Sequence, residues 1–345
     1  MFEKVSPSHP DKLADRLSGA IVDLVYERAG GLTKARSAHS DACLSKNPRV
    51  ACEVMAGHGR VDVQIETSLG RMELRAEDID PLIRRLFGER VVGNVLIAPQ
   101  DAHLSENQTR GLRAGDNGCF KGCPPTEEQR VLTAIAATIY GSIPYDGKYL
   151  IGDYHRNRDY MINDRRAHSI VPSDNPRSKA VVICQSHATE EEILKTWFDF
   201  FEAQGGIKKG PEVAQLEVTY YSPFINPLGP WTGGIDVDCG CTNRKLGSDM
   251  GDGVTGGGLM GKDLSKADVS VNIVCYLKAV ASGQTVTAMC SIGDENVTFQ
   301  YADGRRETER FADIVEMARL YILTDCGGSF ERFAEWGLIR PKEDL

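Results

Sequence analysis

No stretch of this 345-residue chain approaches the ~18 consecutive apolar residues that a membrane-crossing helix needs. The start, Met1-Phe2-Glu3-Lys4-Val5-Ser6, has neither the basic opening nor the apolar core of an export signal. Ten cysteines are too few for a disulfide scaffold at this length. Their irregular spacing predicts reduced thiols and a cytoplasmic location. Positive charge is in deficit: 40 Lys plus Arg stand against 49 Asp plus Glu, a net −9. That disfavours non-specific binding to nucleic acid or to an anionic membrane, since both reward excess positive charge. Apolar content, 41%, is modest but well above that of a disordered chain. The length predicts two or three domains, each able to bury a core. Glycine is what the chain has in quantity, with 35 residues.

No low-complexity linker divides the sequence, so its organisation must come from pattern. Leu13, Leu17, Ile21 and Val25 recur every four residues behind Ser8 and Pro10, predicting a capped helix that Gly30-Gly31 stops. Strands are predicted over 50–55 and 60–67 around Gly57-His58-Gly59, then a helix over 76–87 and a strand over 91–98. A polar loop follows from Pro99 to Asn117, a length at which loops often serve as lids or binding segments. Thr126 is placed to cap a helix reaching Tyr140, and Thr189 another over 190–203, with a strand over 180–184 between them. Residues 149–178 are charged and aperiodic and carry no assignment. The last third reads as a glycine-rich segment, a helix over 265–281, strands near 285–292 and 297–301, and a helix over 311–323. Helices paired with short, often antiparallel strands predict α+β layers. The three thirds are alike in pattern, without a clear repeat of residues.

The densest chemical signal lies between Gly247 and Lys262, which holds seven glycines and is followed by Asp263, Lys266 and Asp268. Such a run lets backbone N–H groups approach an anion closely. A glycine run alone would read as a flexible surface loop. Two lysines and two aspartates at a helix start tip the reading toward a phosphate–metal site. Gly256 to Lys262 fits the first seven positions of a phosphate loop, but Asp263 stands where that loop needs a magnesium-binding hydroxyl. A kinase or ATPase built on this loop therefore stays open as a rival, and it predicts a strand just before Gly256. Cys239 and Cys241 lack a second pair at zinc-ligand spacing. Taken singly, Arg244-Lys245 reads as surface charge, His9-Pro10-Asp11-Lys12 as helix capping, and Asp146-Gly147-Lys148 and Gly115-Asp116-Asn117-Gly118 as turns.

In series these segments resemble the methionine adenosyltransferases, or S-adenosylmethionine synthetases. The resemblance rests on Val5-Ser6, His9-Pro10-Asp11-Lys12, Ala51-Cys52-Glu53, Ala114-Gly115-Asp116-Asn117-Gly118 and Asp146-Gly147-Lys148. It continues through Ile225-Asn226-Pro227, Asp238-Cys239-Gly240, Thr242, Arg244-Lys245, Gly256-Gly257-Gly258, Gly261-Lys262-Asp263, Ser265-Lys266 and Asp268. The order is the family's over roughly three quarters of the chain. Departures are also visible. Pro7-Ser8 replaces a usual Glu-Gly, Trp231 stands for a Phe, and the segment after Pro227 is about one residue short. The loop from Gln100 to Asp116 is shorter than usual, and residues 149–178 and the tail after Thr324 match poorly.

The resemblance implies synthesis of S-adenosylmethionine from ATP and L-methionine, with the released triphosphate then hydrolysed to phosphate and pyrophosphate. His9 would lie near the bridging oxygen at C5′, and Lys148, Arg244, Lys245, Lys262 and Lys266 would line the triphosphate. Asp11 and Asp268 would hold two magnesium ions and Glu53 a potassium ion. Glu66, Gln100, Asp116 and Asp238 would surround methionine and the sulfonium, Asp146 would belong to the substrate site, and Trp231 would lie near the adenine. The implied fold is three similar α/β-layer domains in a pseudo-three-fold arrangement: residues 1–100, 113–224 and 225–345, with a lid at 101–112. It also implies a homodimer, or a tetramer built from such dimers, with active sites between chains and Glu66, Gln100 and Asp116 supplied by the partner. A non-catalytic relative would be expected to lose charged positions, yet His9, Lys148, Arg244, Lys245 and Lys266 are all present.

Overall fold

The computed structural model describes residues 1–32, 48–103, 111–153, 179–203 and 221–341. The first elements are β1 (Phe2–Val5), α1 (Pro10–Arg28), β2 (Val50–Gly57), β3 (Arg60–Thr67), α2 (Ala76–Phe87) and β4 (Val92–Pro99). There follow β5 (Gly118–Gly122), α3 (Glu127–Ser142), β6 (Gly147–Asp153), β7 (Lys179–Gln185), α4 (Glu190–Ala203) and β8 (Tyr221–Ile225). The chain continues through β9 (Gly240–Cys241), α5 (Leu246–Met250), a 3-10 turn at Gly251–Gly253 and α6 (Ala267–Ser282). It ends with β10 (Val286–Cys290), β11 (Asn296–Tyr301), β12 (Arg306–Arg310), α7 (Phe311–Asp325) and α8 (Phe330–Trp336). No helix among the described residues is long and apolar enough to cross a membrane. Their nine cysteines are all free thiols.

The strands form three four-stranded sheets, ordered β4-β3-β2-β9, β1-β6-β7-β8 and β12-β11-β10-β5. The first grows from the hairpin of β2 and β3, whose turn residues His58 and Gly59 take positive φ. Alternation then sends Val50, Cys52, Val54, Ala56, Val61, Val63 and Ile65 to one buried face. β4 joins β3 in parallel after the crossover helix α2. Each sheet also takes one strand from a distant part of the chain: β9 pairs with β2, β1 with β6, and β5 with β10. One apolar core runs through α1, α6, α7 and the two sheets that contain β2 and β10. A second gathers α3, α4 and the sheet containing β7 around Trp197, Tyr149 and Trp336.

α1 forms where the fourfold spacing predicts, with Leu17, Ile21 and Val25 fully buried. Its cap is His9 rather than Ser8: His9 Nδ1 accepts the Asp11 amide at 3.2 Å. Ser8 Oγ instead donates to the Pro144 carbonyl. Thr126 caps α3 with Gln129 in a reciprocal pair, as its position suggests. Residues 149–153 belong to β6, while the rest of the unassigned segment, 154–178, lies outside the described residues. So does 104–110, most of the expected lid at 101–112.

Candidate active site

The turn between β1 and α1 places His9 and Asp11, 6% and 3% exposed, at a helix start that faces the β9 strand. Asp11 Oδ1 accepts the Cys241 amide at 2.9 Å and lies 3.5 Å from Arg244 Nη1. Its Oδ2 lies 3.9 Å from Lys245 Nζ. This contact needs Gly240, because any Cβ there would run into the Pro10 carbonyl. Burial raises the Asp11 carboxyl pKa; the Cys241 amide, Arg244 and Lys245 oppose the rise. Burial first, then the neighbouring Lys245 and Lys148, pull the His9 imidazole down to about 4. His9 is therefore neutral at pH 7. With Nδ1 accepting the Asp11 amide, its ring proton is assigned to Nε2, which makes the side chain a hydrogen-bond donor.

Two cations from distant elements converge beside it. Lys148 on β6 and Lys245 at the start of α5 both bind Glu3 of β1, at 3.0 and 2.9 Å. Burial alone would raise the Glu3 carboxyl, but the hydrogen bonds and charges of the two lysines hold it below its ordinary value. Glu3 was not singled out in the sequence; a lone acid in a four-residue strand gives no signal. Arg244 is half exposed and donates to the Cys239 carbonyl at 3.1 Å.

His9, Asp11, Lys148, Arg244 and Lys245 line a cavity of about 690 Å³, together with Asp146 and Asp238. Apolar lining comes from the segment Pro227, Leu228, Pro230 and Trp231. Trp231 Nε1 donates to Asn226 Oδ1, which holds the ring by its polar edge. Asp146 Oδ2 accepts the Gly234 amide at 2.7 Å, while its buried Oδ1 has no hydrogen-bond partner among the described residues. Burial, with Asp238 and Asp11 adding to it, pushes the Asp146 carboxyl up to about 6 despite the Gly234 amide. The cavity thus offers cations, a neutral imidazole, an apolar segment ending at Trp231 and a carboxylate oxygen on Asp146 without a partner among the described residues. Such an arrangement suits a polyanionic molecule with an aromatic head.

Lys262, Lys266, Asp268 and Asp116 do not line this cavity; they form a second cluster at the start of α6. Lys262 Nζ binds Asp268 at 2.6 Å, and Lys266 lies 3.6 Å from Asp116. Gly257, at φ +84°, carries the chain directly over the Asp268 carboxylate, where a Cβ would not fit. Burial raises the Asp116 carboxyl, with Lys266 opposing. Asp263 faces inward and is fully buried, accepting the Val50 amide at 2.9 Å and the Ser265 amide at 2.8 Å. A 3-10 turn, not a strand, precedes the glycine run. The nucleotide phosphate-loop geometry is absent here. Asn243, at φ +62°, ties this loop to α1: its Oδ1 accepts the Met260 amide and its backbone amide donates to Asp15 Oδ1.

The remaining expected residues share a third region. Glu53 and Glu66 project from the solvent face of the β2–β3 hairpin, and Glu53 accepts the Thr242 hydroxyl. Gln100 follows β4, its amide bonded to the Thr67 carbonyl at 2.9 Å. Met55 and Leu96, 56% and 60% exposed, lie on the same face of this sheet.

No family model matches the chain. It is similar to curated proteins named S-adenosylmethionine synthase. The one from Tropheryma whipplei (strain Twist) is 26% identical over 307 residues, covering 77% of this chain and 71% of that protein. The one from Jannaschia sp. (strain CCS1) is 27% identical over 301 residues, covering 78% and 69%. The likeness is distant, and it spans about three quarters of the chain.

Proposed function

We propose that the chain is an S-adenosylmethionine synthase, joining ATP and L-methionine. The observation that carries this reading is the convergence of Lys148, Lys245, Arg244 and the neutral His9 in one cavity that has an apolar wall at Trp231. The methionine sulfur attacks C5′ with its lone pair, the C5′–O bond breaks, and that electron pair leaves with the triphosphate. A thioether has no proton to give up, so no general base is needed. The demand is for stabilisation of charge on the leaving oxygen, which preorganised donors supply. His9 Nε2–H donates to the bridging oxygen, while the lysines and Arg244 take the remaining phosphate oxygens. Arg244 does so in a planar fork. Asp146 and Trp231 receive the adenosine end, and Asp238 the methionine. The released triphosphate is then hydrolysed to phosphate and pyrophosphate before the product leaves.

Magnesium fits this inventory. Among the described residues no three carboxylate, His or Cys side chains gather into a metal cage. Magnesium commonly takes one or two carboxylates and completes its shell with water and substrate phosphates. Asp11 would hold one ion, and Asp268, in the cradle that Gly257 covers, the second. Bound there, magnesium would neutralise phosphate charge. Glu53, beside Thr242, would hold potassium.

Lys262, Lys266, Asp268 and Asp116 do not line the cavity that Lys148 and Lys245 line, and this supports a site shared between two copies. Lys262, Lys266, Asp268 and Asp116, with Glu66 and Gln100, would reach the cavity of a partner chain. The solvent face that carries Met55 and Leu96 would be the pairing surface. The three sheets would then correspond to three similar α+β units.

The deciding assay supplies ATP, methionine, magnesium and potassium to the purified chain and measures sulfonium, phosphate and pyrophosphate together. Phosphate release at the same rate without methionine, and no sulfonium, would make it an ATPase instead.

A further inference from the structure

We infer that Lys4 is a positioning residue, coupling a C-terminal hook, residues 336–340, to the Lys148–Lys245 cation pair through Glu3. The inference rests on reading the cavity as a polyanion site. Lys4 is fully buried, in a strand of four residues at the edge of its sheet, bonded to β6 on one side. A lysine ammonium has three donors, and here all three are used. Lys4 Nζ donates at 2.8 Å to each of the Ser248, Trp336 and Ile339 carbonyls. Two of those carbonyls belong to the hook and one to α5.

The hook also binds α5 directly. The Leu338 and Ile339 amides both donate to the Asp249 carbonyl, at 2.9 and 3.0 Å. Gly337, at φ +67°, passes so close to Asp249 that no side chain would fit. The Asp249 amide in turn donates to the Lys245 carbonyl at 3.1 Å. Lys4 and its neighbour Glu3 point to opposite sides of the strand, as successive strand residues do. One side is locked into the hook and α5; the other holds Glu3 between Lys148 and Lys245. Lys4 does not line the cavity, yet it fixes both the strand that carries Glu3 and the helix that follows Lys245. An edge strand this short, paired on one side, has few other restraints on its placement.

The test is calorimetric binding of tripolyphosphate, in the presence of a metal chelator, to the intact protein and to the variants Lys4→Met, Glu3→Gln and both together, each checked for folding by circular dichroism. Lys4→Met should weaken binding about fivefold while Glu3 is present, and by less than about 1.5-fold when Glu3 is already Gln, because coupled residues are non-additive. An equal effect in both backgrounds, or none in either, would overturn the inference; a merely structural role gives the equal effect. If the unmodified protein does not bind tripolyphosphate, the polyanion reading of the cavity falls and this inference with it. Should Lys4→Met not fold, the coupling is read in the unmodified chain by hydrogen exchange. Saturating tripolyphosphate should slow exchange of the Leu338 and Ile339 amides at least about threefold, and unchanged rates would sink the proposal.

Discussion

The backbone amide of Asp11 donates to Nδ1 of His9 at 3.2 Å, so the capping bond of α1 also decides which nitrogen of the imidazole faces the cavity with a proton. A neutral donor that holds its proton suits a reaction in which a leaving oxygen gains charge. His9→Asn should therefore lose sulfonium formation by ~10²–10³-fold while still hydrolysing added tripolyphosphate. Arg244→Leu should impair both activities. Measuring the two activities separately on folded variants checks the assignment, and the opposite pattern for His9→Asn refutes it.

Asp146 offers a test by stability. Its folded carboxyl titrates at about 6 against an ordinary 3.8, so the native state binds the extra proton between those values. The stability this gives is present below about pH 3.8 and is lost as pH rises through about 6. Asp146→Asn carries no such dependence. Denaturant titrations at pH 4.5 and 7.5 should find the variant gaining on the parent at the higher pH, on the order of 2 kcal/mol, with weaker nucleotide binding. Parallel pH profiles for the two proteins would exclude Asp146 as the group responsible.

Glu53 sits on an exposed strand face, where its removal leaves no buried hole. Glu53→Gln should keep the fold and reduce the response of the rate to potassium. Titrating potassium chloride against the assay decides this, and an unaltered response removes Glu53 from the ion's site.

The shared-site reading predicts complementation. Lys148→Ala and Lys266→Ala alter different clusters, and each alone should be nearly inactive. Mixed and refolded together, they should regain activity, because every mixed dimer contains one site with both defects and one with neither. No recovery, with mixed dimers confirmed by mass, would place both lysines in the same chain's site.

Gly240 reports on the close approach of β9 to α1. Gly240→Ala should cost about 1–3 kcal/mol, since the added methyl would meet the Pro10 carbonyl and the Asp11 backbone nitrogen, neither of which is a flexible side chain. Thermal unfolding measures that loss, and a Tm equal to the parent's would show that the junction yields.

Long periodic elements were legible before the structure: the fourfold spacing of α1, the alternation through Val61, Val63 and Ile65, and the Thr126 cap. Elements with little local signal were not. β9 has two residues, and β12, Arg-Glu-Thr-Glu-Arg, alternates nothing apolar. β1 hides a lysine among its buried positions because three distant carbonyls receive it. The motif order pointed to His9, Lys148, Arg244 and Lys245, which meet in one cavity. Glu3, Asn243 and Lys4 were not legible, since each owes its place to partners far away in sequence. Asp263 matched a motif, but its place is interior: it caps Ser265 and pins Val50.

The borrowing of one strand by each sheet bears on how the chain emerges from the ribosome. When β2, β3 and β4 have been synthesised, their sheet still lacks β9, at residues 240–241. β1 waits for β6 at 147–153, and β5 for β10 at 286–290. None of the three sheets is complete until a much later segment arrives, so native pairing is dominated by contacts distant in sequence, which slow folding. A nascent chain stalled near residue 150 would carry strands from all three sheets without their later partners. A nick between β8 and β9 would leave the β1-β6-β7-β8 sheet whole in one fragment but would part β9 from β2 and β10 from β5.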